Sequence, residues 1–96
     1  MKRSEPMELS GLLESVLHEL GLGLRLKQWK VVERWPNIVG ERIAKAATPE
    51  RIENGKLLVR VQSPAWRNEL TFLKKEIIAK INAAMGEEIV KDIIFR

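Results

Sequence analysis

Thr48-Pro49-Glu50-Arg51-Ile52-Glu53-Asn54-Gly55-Lys56-Leu57-Leu58-Val59-Arg60-Val61-Gln62-Ser63-Pro64 is the stretch whose reading decides the fold. Asn-Gly between two strand-like runs is the preferred pair for a tight type I′ hairpin, because both central residues need positive φ. The run before it, about Thr48 to Glu53, is short and polar and contains Pro49, which suits a sheet edge. The run after it alternates: Leu57, Val59 and Val61 point one way, Leu58, Arg60 and Gln62 the other. Ser63-Pro64 then marks a helix start, with serine as N-cap and proline at the first helical position.

Downstream, Trp66, Leu70, Leu73, Ile77, Ile81 and Ala84 or Met85 recur at helical spacing, predicting one long helix that ends at Gly86. Arg67, Lys74, Lys75 and Lys80 lie largely off that stripe. Ile89 to Phe95 is rich in Ile and Val and predicts a third strand, apolar on both faces. Upstream, Leu22, Leu26, Trp29 and Val32 keep helical spacing, as do Ile38 or Val39 with Ile43 and Ala47. A second helix is therefore expected from about Leu24 to Ala46. Pro36 should kink or split it near Trp35, and Gly40 inside it suggests close backbone packing. Residues 7–20 predict an amphipathic first helix, with Leu9, Leu12, Leu13, Val16, Leu17 and Leu20 on one face. Glu5 and Pro6 sit at its start and Gly21 at its stop. The order is helix, kinked helix, strand, strand, long helix, strand. This is an α+β chain whose three-stranded sheet is covered by helices on one face, which would satisfy every apolar stripe.

The chain has 96 residues, enough for one domain over 1–96 with residues 7–20 as an extra N-terminal helix. Hydrophobic residues at 45% and charged residues at 31% describe a globular protein rather than a disordered one. Cysteine is absent. That excludes disulfides, thiolate metal sites and cysteine nucleophiles, and fits a reducing compartment. Met1-Lys2-Arg3 is followed by Glu5, Pro6, Glu8, Glu14, His18 and Glu19, so neither a signal peptide nor a membrane span is expected and the cytoplasm is the expected location.

Catalytic material is sparse. His18, the one histidine, falls beside apolar positions and reads as a structural or boundary residue. Ser63 is explained by capping, and Ser4, Ser10 and Ser15 lack a nucleophile-elbow setting. Gly21-Leu22-Gly23 lacks the third glycine and the preceding strand of a phosphate-cradling loop. Glu87-Glu88 follows Gly86 in a turn, where solvated charge is the default. No enzyme activity, metal or cofactor is expected.

A net charge of +4 points towards a polyanionic partner. Two groups of cations are candidates for phosphate contact: Arg25, Lys27, Lys30 and Arg34, of which the last three share one helix side, and Arg60 with Arg67, Lys74 and Lys75. Both could equally be solvated faces. Trp29, Trp35 and Trp66 fall on or beside apolar stripes, so core packing is expected ahead of base stacking, least firmly for Trp35 beside Pro36.

An ordered series of short motifs adds to this reading: Trp35, Ile38-Val39-Gly40 and Ile43-Ala44; Thr48-Pro49; Asn54-Gly55-Lys56-Leu57 and Val59; Ser63-Pro64-Ala65-Trp66; Glu69-Leu70. Together they resemble the DciA-like family of bacterial replication proteins over about residues 25–96. The resemblance implies a fold like the K-homology domain. It also implies action on the hexameric replicative helicase at replication initiation, with weak, non-specific binding of single-stranded or duplex DNA. Longer relatives carry a disordered tail used for helicase contact, and this sequence, stopping at Arg96, would be a short form without it. The Gly-x-x-Gly loop of RNA-binding K-homology domains is missing, and the lack of cysteine excludes a zinc-ribbon variant. An RNA- or ribosome-associated role, and a protein-interaction role without nucleic acid, stay open beside the replication reading. The sequence does not set the oligomeric state.

Overall fold

In the computed structural model, which describes residues 6–96, the Asn-Gly hairpin forms as the sequence dictates. The side chains of residues 6–10 and Leu17, and the expected helix start at Glu5, lie outside the described residues. Strand β1 (Ala47–Glu53) pairs antiparallel with β2 (Lys56–Val61), with Thr48 opposite Arg60, Ile52 opposite Leu57 and Glu53 opposite Lys56. Asn54 and Gly55 have φ of 52° and 79°, the left-handed conformation a type I′ turn requires. The register shifts between Pro49 and Arg51, so Glu50 is the extra residue of a bulge. Proline is tolerated there because β1 is an edge of the sheet.

Strand β3 (Asp92–Phe95) joins the other side of β2 in parallel, with Leu57 opposite Ile93 and Leu58 opposite Ile94. A parallel pair needs a crossover. Helices α4 (Pro64–Phe72) and α5 (Lys74–Met85) supply it. The long helix read from the sequence is thus two helices. At Leu73 (φ −95°, ψ 2°) the N–H bonds back to the carbonyl of Leu70, three residues away, and Ile77 N–H restarts the ladder on the Leu73 carbonyl. No proline or glycine marks the break. It lets α4 lie on β2 and β3 while α5 lies against the second helix and β3.

That second helix, α2 (Gly23–Val39), runs through Pro36 and ends at Gly40, where α3 (Glu41–Ala46) begins. The break expected at Trp35 is therefore four to five residues later. Gly40 adopts φ 93° and ψ 158°, a region open essentially to glycine. A side chain there would meet nothing within 4 Å, so backbone conformation, not close packing, accounts for the glycine.

Trp35 is fully buried, and its indole Nε1 donates to the Ala47 carbonyl at 3.0 Å, tying α2 to the start of β1. Around it the core gathers Val31, Leu57, Val59, Leu70, Ile77, Ile81, Val90 and Ile93. Trp66 is half-buried against this core rather than enclosed, and Trp29 is 56% exposed, so only one of the three tryptophans is fully core. The expected third strand is shorter than Ile89–Phe95. Ile89 and Val90 are buried but held by a side chain: Asn82 Oδ1 accepts both their N–H groups at 3.0 Å, and Nδ2 donates to the Val90 carbonyl at 2.9 Å.

Helix α1 (Pro6–Glu19) packs on α2. Its leucine stripe is not covered: Leu12, Leu13, Val16 and Leu20 are 49–67% exposed. The arrangement of mixed three-stranded sheet and covering helices is the K-homology-like one, with the sheet's second face left open.

Candidate nucleic-acid interface

The first cationic group divides around α2. Lys27, Lys30 and Arg34 line a groove of about 630 Å³ between α2, the polar side of α1 (Gly11, Glu14, Ser15, His18) and the end of α5. Arg25 lies on the opposite side of α2, beside Gln28, Trp29 and Val32, over the β1 residues Glu50 to Glu53. A helical rotation of about 100° per residue separates position 25 from the other three.

Carboxylates neutralise part of the groove. Lys27 Nζ is 2.6 Å from Glu87 Oε2, and Lys30 donates to Glu14 Oε2. The hydrogen bond and charge of Lys30, with Lys27 behind, hold the Glu14 carboxyl below the usual glutamate range. Among the described residues Arg34 has no carboxylate partner. It also lines a shallow depression between α2 and α5 with Asn37, Ile38, Lys80, Ala83 and Ala84. Lys80 is likewise without a carboxylate among the described residues, so Arg34 and Lys80 form a cationic seam across α2 and α5. Lys80 was legible only as a residue off the apolar stripe.

The second group is split by the sheet. Arg60, on the open face, donates Nε (3.1 Å) and Nη2 (2.6 Å) to Glu50 Oε2, and Arg96 donates to Glu50 Oε1. Those two guanidinium hydrogen bonds lower the Glu50 pKa. Arg51 Nε meets Glu53 Oε2 at 2.6 Å on the same face, with its own pKa raised by that carboxylate. Leu58 is buried here and Ile94 exposed, so the face is a web of ion pairs over a small apolar centre. The arginine pair on Glu50 follows from the bulge, which no residue pattern announces.

Arg67, Lys74 and Lys75 sit on the helices covering the other face. Lys74 Nζ lies 3.3 Å from Asp92 Oδ1; Arg67 and Lys75 are exposed and without carboxylate partners among the described residues. Between them Phe72, at the α4–α5 turn, is 80% exposed. Arg42 of α3 stacks over the Trp66 ring at 5.5 Å from its centroid, a contact the sequence did not suggest.

Among the described residues no group of three His, Cys, Asp or Glu side chains is placed to hold a metal ion, and His18 is exposed in the groove wall. Among the described residues no helix is long and apolar enough to cross a membrane. The arrangement offers charge and exposed aromatic rings.

The sequence model of the family described as "Dna[CI] antecedent, DciA" matches residues 8–95. The chain belongs to the DciA family. It is 33% identical over 89 residues to a UPF0232 protein of Rhodococcus jostii, covering 93% of this chain and 47% of that one. A UPF0232 protein of Mycolicibacterium smegmatis is 31% identical over 86 residues, 90% of this chain and 44% of the relative. One from Mycobacterium tuberculosis is 29% identical over 89 residues, 93% of this chain and 48% of the relative. The chain thus spans a little under half the length of these DciA-family relatives. The match reaches upstream of residue 25 to take in most of α1, further than the short motifs do.

Proposed function

We propose that the chain is a non-enzymatic binding module of bacterial DNA replication, acting on the hexameric replicative helicase and holding DNA weakly through its phosphates. The family match over residues 8–95 carries the replication reading. Support for nucleic-acid contact comes from two pairs among the cations left without carboxylates in the described residues, Arg34 with Lys80 and Arg67 with Lys75. Lys27, Lys30, Arg60 and Lys74 are engaged by Glu87, Glu14, Glu50 and Asp92, so their charge is partly spent inside the molecule. Trp29 and Phe72 are exposed rings available to stack on unpaired bases.

Phosphate contact releases counterions, so affinity should fall with salt at a log–log slope of about −0.7 per phosphate on single strands and −0.9 on duplex. Sequence preference should be slight, since phosphate contacts carry no direct sequence information. The test is a titration of labelled single-stranded and duplex DNA at several salt concentrations, beside a pulldown from native bacteria. Salt-dependent binding with recovery of the helicase supports the proposal. Absence of both sinks it, and retention on ribosomal particles instead would assign the K-homology-like fold to an RNA role.

A further inference from the structure

Helix α1 is mounted the wrong way round for a helix serving its own core. Gly11, Glu14, Ser15 and His18 face α2, with Glu14 bonded to Lys30 and His18 so close to Gly23 that a β-carbon there would stand 3.0 Å from its Nδ1. The leucines point to solvent: Leu12 is 62% exposed, Leu13 58% and Leu20 67%. With Val16, these side chains present roughly 400 Å² of apolar surface, about the size of the largest apolar patch on a typical soluble monomer, which is often functional.

The spacing of the stripe identifies the occupant. Leu9, Leu12, Leu13, Val16, Leu17 and Leu20 are separated by three, one, three, one and three residues, a palindrome centred between Glu14 and Ser15. A second α1 laid antiparallel about a twofold axis through that point sets Leu13 across Val16, Leu12 across position 17 and Leu20 across position 9. Glu14 stays on the α2 side of the helix, bonded to Lys30 and away from this seam, so it sets no carboxylate against the partner's stripe. A twofold axis sets residue i against j and j against i, and this spacing satisfies that condition along its whole length. The four-and-three alternation of positions 9, 13, 16 and 20 is also the seam of a left-handed helix pair. Residues 6–20 contain no lysine or arginine, which argues against a lipid surface, whose helices carry basic polar faces.

We infer that α1 is a homodimerisation helix, pairing antiparallel with the α1 of a second copy through Leu12, Leu13, Val16 and Leu20. The pair would bury on the order of 800 Å² of apolar side chain, below the roughly 1,200–2,000 Å² of standard stable interfaces. The dimer is therefore weak and concentration-dependent.

Sedimentation equilibrium of the full chain from low to high micromolar concentration should show the mass rising from 11.0 kDa towards twice that. Leu13→Glu should shift the midpoint to at least tenfold higher concentration. Because the chain has no cysteine, a second measurement isolates the register: Leu13→Cys and Val16→Cys proteins, mixed and oxidised, should cross-link several-fold faster than either alone. A mass of 11.0 kDa at every concentration overturns the inference. So does a dimer indifferent to Leu13→Glu, or equal cross-linking in mixed and separate samples. The cysteine arm holds even if the glutamate variant folds poorly.

Discussion

Gly40 separates α2 from α3 with φ 93°, and nothing lies near the hydrogen a side chain would replace. Gly40→Ala should therefore destabilise by about 1–3 kcal/mol through backbone strain alone, measured by urea denaturation. A loss under about 0.4 kcal/mol would show that the joint relaxes into an ordinary helical conformation. Trp35 joins full burial to a hydrogen bond on Ala47. Trp35→Ala should cost about 3–5 kcal/mol, and Trp35→Phe about 1–3, the share of an orphaned buried carbonyl. Trp66, half-buried under Arg42, should cost less than Trp35 on truncation to alanine in the same assay. Glu50 titrates below the usual glutamate range because Arg60 and Arg96 bond its ionised form. A carboxyl depressed on folding adds stability that is present above its unfolded pKa and lost as pH falls through the folded one. Glu50→Gln should flatten the acid limb of stability as pH falls below the usual glutamate pKa, less so in high salt. An unchanged limb would mean that the two arginines do not hold the carboxylate in solution.

At the scale of elements, the hairpin was legible because Asn54-Gly55 dictates its own turn and the alternation of β2 dictates its own face. The capped start of α4 at Ser63-Pro64 was legible for the same local reason, with Ser63 Oγ accepting the Trp66 N–H at 3.2 Å. What escaped the sequence was decided by tertiary packing. The α4–α5 break falls at a leucine with ordinary helix propensity, and helix α2 continues through Pro36 beside the anchored Trp35 despite the lost bond and the clash a proline brings. The Ile89–Val90 segment looked like strand because its residues are β-formers, yet Asn82 satisfies its backbone instead of a neighbouring strand. Asn82→Ala would leave those two N–H groups without their partner and should cost about 2–4 kcal/mol, with hydrogen-exchange protection lost first at Ile89 and Val90. Retained protection there would assign the segment to another partner. Of the candidate site, the cations were legible as residues but not as free or engaged, because the carboxylates Glu14, Glu50, Glu87 and Asp92 reach them from other elements, through tertiary packing and the Glu50 bulge.

For the whole molecule, a net charge of +4 sets a field that draws polyanions, and the ion pairs decide where that field is left uncompensated. Reversing Lys27 and Lys30 would set new carboxylates beside Glu87 and Glu14 and loosen α1 from α2, mixing a stability loss with any binding loss. Arg34 and Lys80 carry no such coupling among the described residues. The most direct measurement is therefore the affinity of the Arg34→Glu, Lys80→Glu double variant for single-stranded DNA across a salt series, beside the unaltered chain at equal thermal stability. Affinity lower by roughly an order of magnitude at low salt, with a log–log slope shallower by about 0.7 for each lost phosphate, is the expected result. Unchanged affinity and slope, or no salt-dependent binding by the unaltered chain, would contradict the account.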